Sequence, residues 1–268
     1  MITLLQTALA LARTSLAGMD MDARTEIHDQ HVVDITTKGD RGVSDVLTAF
    51  FRESGFSAVV LSEESGRVDL CSDPQYTVTI DDIDGTDNFF RGGGLLPYCT
   101  IISILAGTRP SFADAVAAGI IEHRTGALWL AEKGKGCLFQ GVGARTSQKN
   151  ELNRRTLVPI DHYGSAHDLP RLAALHSRAW IKDFGSAGFH LAGVASGMFD
   201  AYVTTAQKGH EIAAGYLLIT EAGGCLLDMT GRPLGTRPYD FNATYEIIAA
   251  GNKVLAESIL SILHSKKT

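Results

Sequence analysis

The chain has no apolar run approaching the ~18 to 20 residues that a membrane-spanning helix needs, which excludes that mode of action. Its cysteines, Cys71, Cys99, Cys137 and Cys225, are far apart and show no Cys-x-x-Cys spacing. A zinc knuckle and a disulfide framework are therefore not expected, and a reducing compartment is. Positive charge is also scarce: 24 Lys and Arg face 30 Asp and Glu, for a formal charge of −6. No basic stripe offsets this, since the only dense run is Lys266-Lys267, which argues against a nucleic-acid partner. Repeats and low-complexity segments are absent. The first eighteen residues lack the basic start of a signal peptide, while Leu4, Ala8, Leu11 and Ser15 recur at helical spacing. These absences predict a soluble, cytoplasmic protein that needs no membrane partner.

What remains is an ordinary globular composition, 45% apolar and 20% charged, over 268 residues. That length suits two closely packed halves, 1–142 and 143–268, with the polar stretch from Val142 to Arg155 as the seam. The patterns predict helices over 2–17 and 43–54, then strands over 58–62 and 76–81. Apolar runs at 98–106, 113–121, 126–131 and 136–139, separated by turn residues, predict antiparallel strands. The second half alternates: strand 156–160, helix 168–177, strand 179–183, helix 186–197, strand 199–203, helix 211–222, strands 225–228 and 246–250, and a last helix from Asn252. Ser186 is a good N-cap for its helix and Gly197 a good stop.

Acidic residues gather where strands end. Asp81, Asp82, Asp84 and Asp87 fall within seven residues, directly after the apolar run 76–80. Glu63 and Glu64 follow the strand 58–62 in the same way. So much negative charge at one place is costly unless a divalent cation sits among it. An acidic turn in water is the plainer alternative. Gly85-Thr86 reads as a helix start whose free N–H groups would hold a phosphate beside the metal.

Four blocks in order, Glu63-Glu64-Ser65, Asp81-Asp82-Ile83-Asp84-Gly85-Thr86-Asp87-Asn88-Phe89, Gly185-Ser186-Ala187 and His210-Glu211 running to Glu221-Ala222-Gly223-Gly224, resemble the inositol monophosphatase family. This is a branch of the metal-dependent sugar and polyol phosphatases, and the resemblance covers nearly the whole chain. It implies an α+β fold, the layered αβαβα sandwich shared with fructose-1,6-bisphosphatase. It also implies a Mg²⁺-dependent phosphomonoesterase with two or three ions, Mn²⁺ as a substitute, and a homodimer. The expected substrate is a small polyol or sugar phosphate, hydrolysed by direct attack of a metal-activated water. Fructose 1,6-bisphosphate, histidinol phosphate and adenosine 3′,5′-bisphosphate are alternatives within the fold, and a non-catalytic scaffold is the alternative outside that class.

Carried over residue by residue, Glu63, Asp81 and the Ile83 carbonyl match one metal position, and Asp81, Asp84 and Glu211 a second. Gly85 and Thr86 match the phosphate-binding amides. Thr86 with Asp40, the latter also readable as a helix cap, matches the water-activating pair, with Glu63 completing the catalytic set. Asp84, Gly185, Ser186, Ala187 and Thr204 are the expected substrate contacts, Ser186 being equally readable as a cap. Glu64 and Asp82 would steady the ligands from behind. His190 and His210 read as solvated or core-satisfied side chains rather than ligands. The apolar runs at 98–121 are expected to supply a dimer interface.

The chain departs from the family at several positions. His210-Glu211 replaces the usual Trp-Asp, and Asp82 replaces a proline, read here as facing solvent or drawing another cation. Lys182 stands where Arg is usual, and Asp29 where a lysine is expected. Thr204 replaces a Glu found in inositol-preferring members.

Overall fold

The strand predicted at 76–81 runs on to Asp84 and forms the middle of the molecule. In the computed structural model, which describes residues 1–19, 26–30, 35–91, 95–161 and 169–265, this strand is β5 (Tyr76–Asp84). It pairs with β6 (Cys99–Ala106) past an irregularity after Asp81, as far as Asp84 opposite Cys99. That extended pairing is why the acidic motif is strand rather than turn.

Helix α1 spans Ile2–Ala17 and is followed by a short hairpin, β1 (Ile27–Gln30) and β2 (Ile35–Thr37). Helix α2 (Lys38–Glu53) comes next, then β3 (Ala58–Ser62) and β4 (Gly66–Asp69) ahead of β5. A six-residue helix, α3 (Thr86–Arg91), leads to β6, β7 (Ala115–Glu122), β8 (Ala127–Glu132), β9 (Cys137–Phe139) and β10 (Val142–Gly143). These strands form one sheet in the order β10-β9-β8-β7-β6-β5-β3-β4. Only the β3–β5 pair is parallel.

The second sheet has the order β12-β11-β13-β15-β14. Its strands are β11 (Leu157–Asp161), β12 (Trp180–Lys182), β13 (Ala201–Lys208), β14 (Cys225–Asp228) and β15 (Thr244–Ala250). Helices α4 (Leu169–His176), α5 (Ala187–Ala195), α6 (Gly209–Glu221) and α7 (Lys253–His264) complete the described chain.

Alternation along the strands sorts side chains into three cores. In β6, Ile102 and Ile104 face α1 and α2, packing with Leu5, Leu9, Leu47 and Phe51. Ile101 and Leu105 face the other way, toward Leu191 of α5 and Leu217 and Leu218 of α6. The same middle core takes Tyr202, Ile247 and Ala249 from the second sheet. The outer face of that sheet, with Val158, Val203 and Ile248, is covered by Leu172 and Leu175 of α4 and Leu255 and Ile259 of α7. The result is the five-layered αβαβα sandwich.

Two expectations are corrected by this packing. The buried stripe of α1 is Leu5, Ala8, Leu9, Ala12 and Leu16, one position round from the predicted face, and Leu11 is exposed. Strands β6 and β7, read as an interface, are spent inside the protein's own core, with Ile101, Ile102, Ile104 and Ile120 fully buried. A two-sided sheet reads as a continuous apolar run whatever covers it.

Candidate metal and phosphate site

Five elements bring their ends together around Asp81. Glu63 leaves β3 with its N–H on the Ile80 carbonyl of β5 (3.3 Å), so parallel pairing sets the two acidic strand ends side by side. Helix α6 delivers His210 and Glu211 from its first turn. Helix α5 points its N-terminus at Asp84, and α2 brings Asp40.

The ligand-capable atoms form two groups, each within 4.8 Å: Glu63, Asp81 and His210, and Asp81, Asp84 and Glu211. Asp81 belongs to both, and its Oδ1 is buried without a hydrogen-bond partner. Burial first, and then the neighbouring Glu63, Asp84 and Glu211, push the Asp81 carboxyl well above its ordinary value. Glu211 is likewise raised well above, by burial and by Asp84. Asp84 rises to about 6, chiefly through burial, which its hydrogen bonds partly offset. Carboxylates that can ionise together only at such cost, with an oxygen left over, fit a divalent cation. Glu63 is the exception. Burial works against its charge, but His210 and Lys208 hold it below the ordinary range. Lys208 Nζ stands 2.6 Å from Glu63 Oε1.

Asp40 helps cap its helix and also stands beside Thr86. Thr37 is the N-cap of α2, and Asp40 closes a capping box by accepting the Thr37 N–H at 2.7 Å through Oδ2. Its other oxygen lies 3.3 Å from Thr86 Oγ1. Thr86 Oγ1 is also 2.9 Å from the Ile83 carbonyl oxygen. Burial raises the Asp40 carboxyl to about 7 against the pull of Thr37, with Glu64 adding repulsion. Gly85 makes the turn between them at φ +84°, and a Cβ there would stand 2.9 Å from the Gly185 carbonyl oxygen.

On the substrate side the groups are more committed than expected. Ser186 caps α5 by accepting the Phe189 N–H (3.2 Å) and donates its hydroxyl to Asp84. The Ala187 and Gly188 amides also go to Asp84, both at 2.9 Å. Gly185 remains exposed at the edge. Thr204 is fully buried beside a bulge in β13, with its hydroxyl 3.5 Å from Gln207, so it is not brought to the open side. Asp82 does not face solvent: it is buried, its Oδ1 is also without a hydrogen-bond partner, and it belongs to neither ligand group. It continues the inward face of Val78 and Ile80, accepts the Ser62 hydroxyl at 2.8 Å, and is raised well above the carboxylate range mainly by burial. Glu64 is tied through its backbone, its N–H to Asp82 (3.4 Å) and its carbonyl to Arg41 (2.7 Å).

Sequence reasoning gave no role to three residues that this geometry uses. Asn88 Nδ2 reaches the Pro97, Phe184 and Gly185 carbonyls at 2.8, 2.6 and 3.2 Å, stitching the acidic motif to the start of α5. Lys208 pairs with Glu63, as above. His210 turns Nε2 to within 3.7 Å of Glu63 and 3.9 Å of Asp81. The available signal was its place beside Glu211, where an imidazole replaces an indole. A third group, Asp161, Asp183 and His190, is linked internally, His190 Nδ1 standing 3.1 Å from Asp161 Oδ2, and His190 is near enough to Asp84 to help lower its carboxyl.

Comparison with known proteins agrees with this geometry. The human protein "Inositol monophosphatase 1" is 29% identical over 237 residues, covering 85% of this chain and 80% of its own. The "Fructose-1,6-bisphosphatase/inositol-1-monophosphatase" of Methanocaldococcus jannaschii is 31% identical over 209 residues, 76% of each chain. Among solved structures, the extragenic suppressor protein suhB of Bartonella henselae superposes with a TM-score of 0.83 at 22% identity, over 99% of this chain and 98% of that one. The profile of the inositol monophosphatase family matches residues 2–268, and the chain belongs to that family.

Proposed function

We propose that the protein is a phosphomonoesterase that hydrolyses a small polyol or sugar phosphate, using divalent cations held by Glu63, Asp81, the Ile83 carbonyl, Asp84 and Glu211. The observation that carries this reading is the convergence of three carboxylates, Glu63, Asp84 and Glu211, on a shared Asp81 whose Oδ1 is buried with no hydrogen-bond partner. The group Asp81, Asp84 and Glu211 offers only oxygen, which suits Mg²⁺. Cations bound there supply positive charge to phosphoryl oxygens and make water more acidic.

The chain's own residues do the rest by positioning, as a largely dissociative transfer requires. The Gly85 and Thr86 amides hold the phosphate. Thr86 Oγ1 orients the attacking water and Asp40 receives its proton, for which a carboxyl near pH 7 is well matched. Without a cation, His210 and Lys208 hold the Glu63 carboxyl below its ordinary range, so it is ionised and ready to take one. Asp84 fixes the end of α5, so the edge at Gly185 presents a set geometry to the polyol ring. A homodimer is part of this reading, with exposed Leu95 and Trp180 as apolar surface for it.

One observation favours a second reading, a protein that kept the fold without turnover: the Lys208 ammonium already sits on Glu63. Phosphate release from inositol, sugar, histidinol and adenosine phosphates separates the two, with Asp81→Asn as control. Release that disappears in the control supports the phosphatase. No release from any substrate with Mg²⁺ or Mn²⁺ would leave the second reading.

A further inference from the structure

Oxygen donors alone do not describe the Glu63–Asp81 position. We propose that His210 is a metal ligand there, and that it makes this position select a transition-metal dication such as Mn²⁺ over Mg²⁺. The inference rests on the metal-dependent reading above and goes beyond it.

The ring's orientation comes from its two nitrogens. His210 Nδ1 lies 3.2 Å from the Phe241 carbonyl oxygen, which can only accept, so Nδ1 carries a proton. In the neutral ring the lone pair is then on Nε2, the atom turned to Glu63 Oε2 at 3.7 Å and Asp81 Oδ2 at 3.9 Å. A second nitrogen donating to a backbone carbonyl is how ligating imidazoles are usually oriented. The ring cannot easily turn away: it is buried in the first turn of α6 and lies against Phe241 at 4.6 Å between centroids.

The distances suit a common ion. Two donors each ~2.1 Å from one cation stand ~3.0 Å apart at right angles and ~4.2 Å apart when opposite. The two His210 contacts fall between these limits.

Donor chemistry sets the preference. Mg²⁺ is hard, gives up water reluctantly and takes oxygen, whereas imidazole nitrogen gains more from first-row transition metals. The neighbouring group of Asp81, Asp84 and Glu211 contains no nitrogen. The two positions sharing Asp81 therefore differ in kind, one mixed and one all oxygen. The competing possibility is that His210 stays doubly protonated and, with Lys208, simply balances Glu63 and Asp81 as a fixed cation.

The test is pulsed electron paramagnetic resonance of Mn²⁺ added to the purified full-length protein. Coupling to ¹⁴N is expected, changed when histidine is ¹⁵N-labelled and lost in His210→Trp. By calorimetric titration, His210→Trp should weaken Mn²⁺ about tenfold and Mg²⁺ by less than about twofold. The wild-type spectrum decides ligation even where the variant does not fold. Bound Mn²⁺ without nitrogen coupling would overturn the proposal and leave the phosphatase reading standing. No Mn²⁺ binding and no phosphate release would overturn both.

Discussion

Two buried histidines, His190 and His210, each lie within reach of two carboxylates, yet their surroundings differ completely. His190 spends both ring nitrogens: Nε2 accepts the Phe184 N–H at 3.1 Å, so Nδ1 must donate to Asp161 Oδ2, also at 3.1 Å. Tyr202 donates to the same oxygen at 2.5 Å, and Asp183 beside it is raised by burial and by the Asp161 charge. His190 therefore has no ring nitrogen left for a cation, although Asp161 Oδ1, like Asp81 Oδ1, is buried without a hydrogen-bond partner. His210 gives Nδ1 to a carbonyl and turns Nε2 to the carboxylates. The cluster of side chains is therefore a poor guide by itself; the partner of the second nitrogen decides whether an imidazole braces a fold or faces a ligand.

The largest test of this contrast is at Asp81. Asp81→Asn should cut phosphate release by at least about 10³-fold, ~4 kcal/mol of barrier. Without metal the variant should melt no lower than the parent, because a buried, crowded carboxylate has been made neutral. Melting curves with and without Mg²⁺ check both claims, and a large loss of metal-free stability would refute the second. At the other histidine the effect should appear in stability. His190→Ala leaves the Phe184 amide and Asp161 short of partners inside a fully buried space, which should cost about 3 kcal/mol, or roughly 6 to 12 °C in Tm. Metal affinity should change by less than about twofold. A larger fall in metal affinity at His190→Ala would erase the distinction between the two rings.

Much of the scaffold behind this contrast could be read in the chain. Val59-Val60-Leu61 and Val78-Thr79-Ile80 are β-rich runs that stop at carboxylates, so both acidic strand ends were predictable. Ser186 and Gly197 marked the ends of α5, and Gly197 does adopt φ +70°. Other features depended on contacts distant in sequence. The face of α1 was off by one position because apolar residues surround the helix, and only packing on the sheet selects Leu5, Leu9 and Leu16. Thr204 was placed by residue counting, but the β13 bulge withdraws it. His210 was passed over because Phe241, the residue that orients it, lies 31 positions away.

Glu211 tests the contrast on the oxygen side. Its Oε2 accepts the Lys208 N–H at 2.8 Å while the carboxylate also reaches toward Asp81 and Asp84. The longer side chain thus serves helix and ligand group together. Glu211→Asp, although it supplies the family's usual residue, should weaken Mg²⁺ about tenfold. Calorimetric titration checks this. A gain in affinity would mean that the site had not been rebuilt around the extra methylene.

The smallest expected effect is on pH dependence. Asp84 and Asp40 have folded-state values near 6 and 7, against an ordinary 3.8. Between about pH 4 and 7 the folded protein therefore holds protons that the unfolded chain has released, so its stability falls as pH rises. The stabilising contribution is complete below the unfolded value and gone once pH has passed the folded one. Bound cations favour the ionised forms and act in the opposite sense. Metal-free protein should thus melt a few degrees higher at pH 5.5 than at 7.5, and the rise in Tm on adding Mg²⁺ should grow over the same interval. His190→Gln, if it folds, should show the same pH slope. A slope that disappeared in that variant would locate the titration in the brace and not in the cation site.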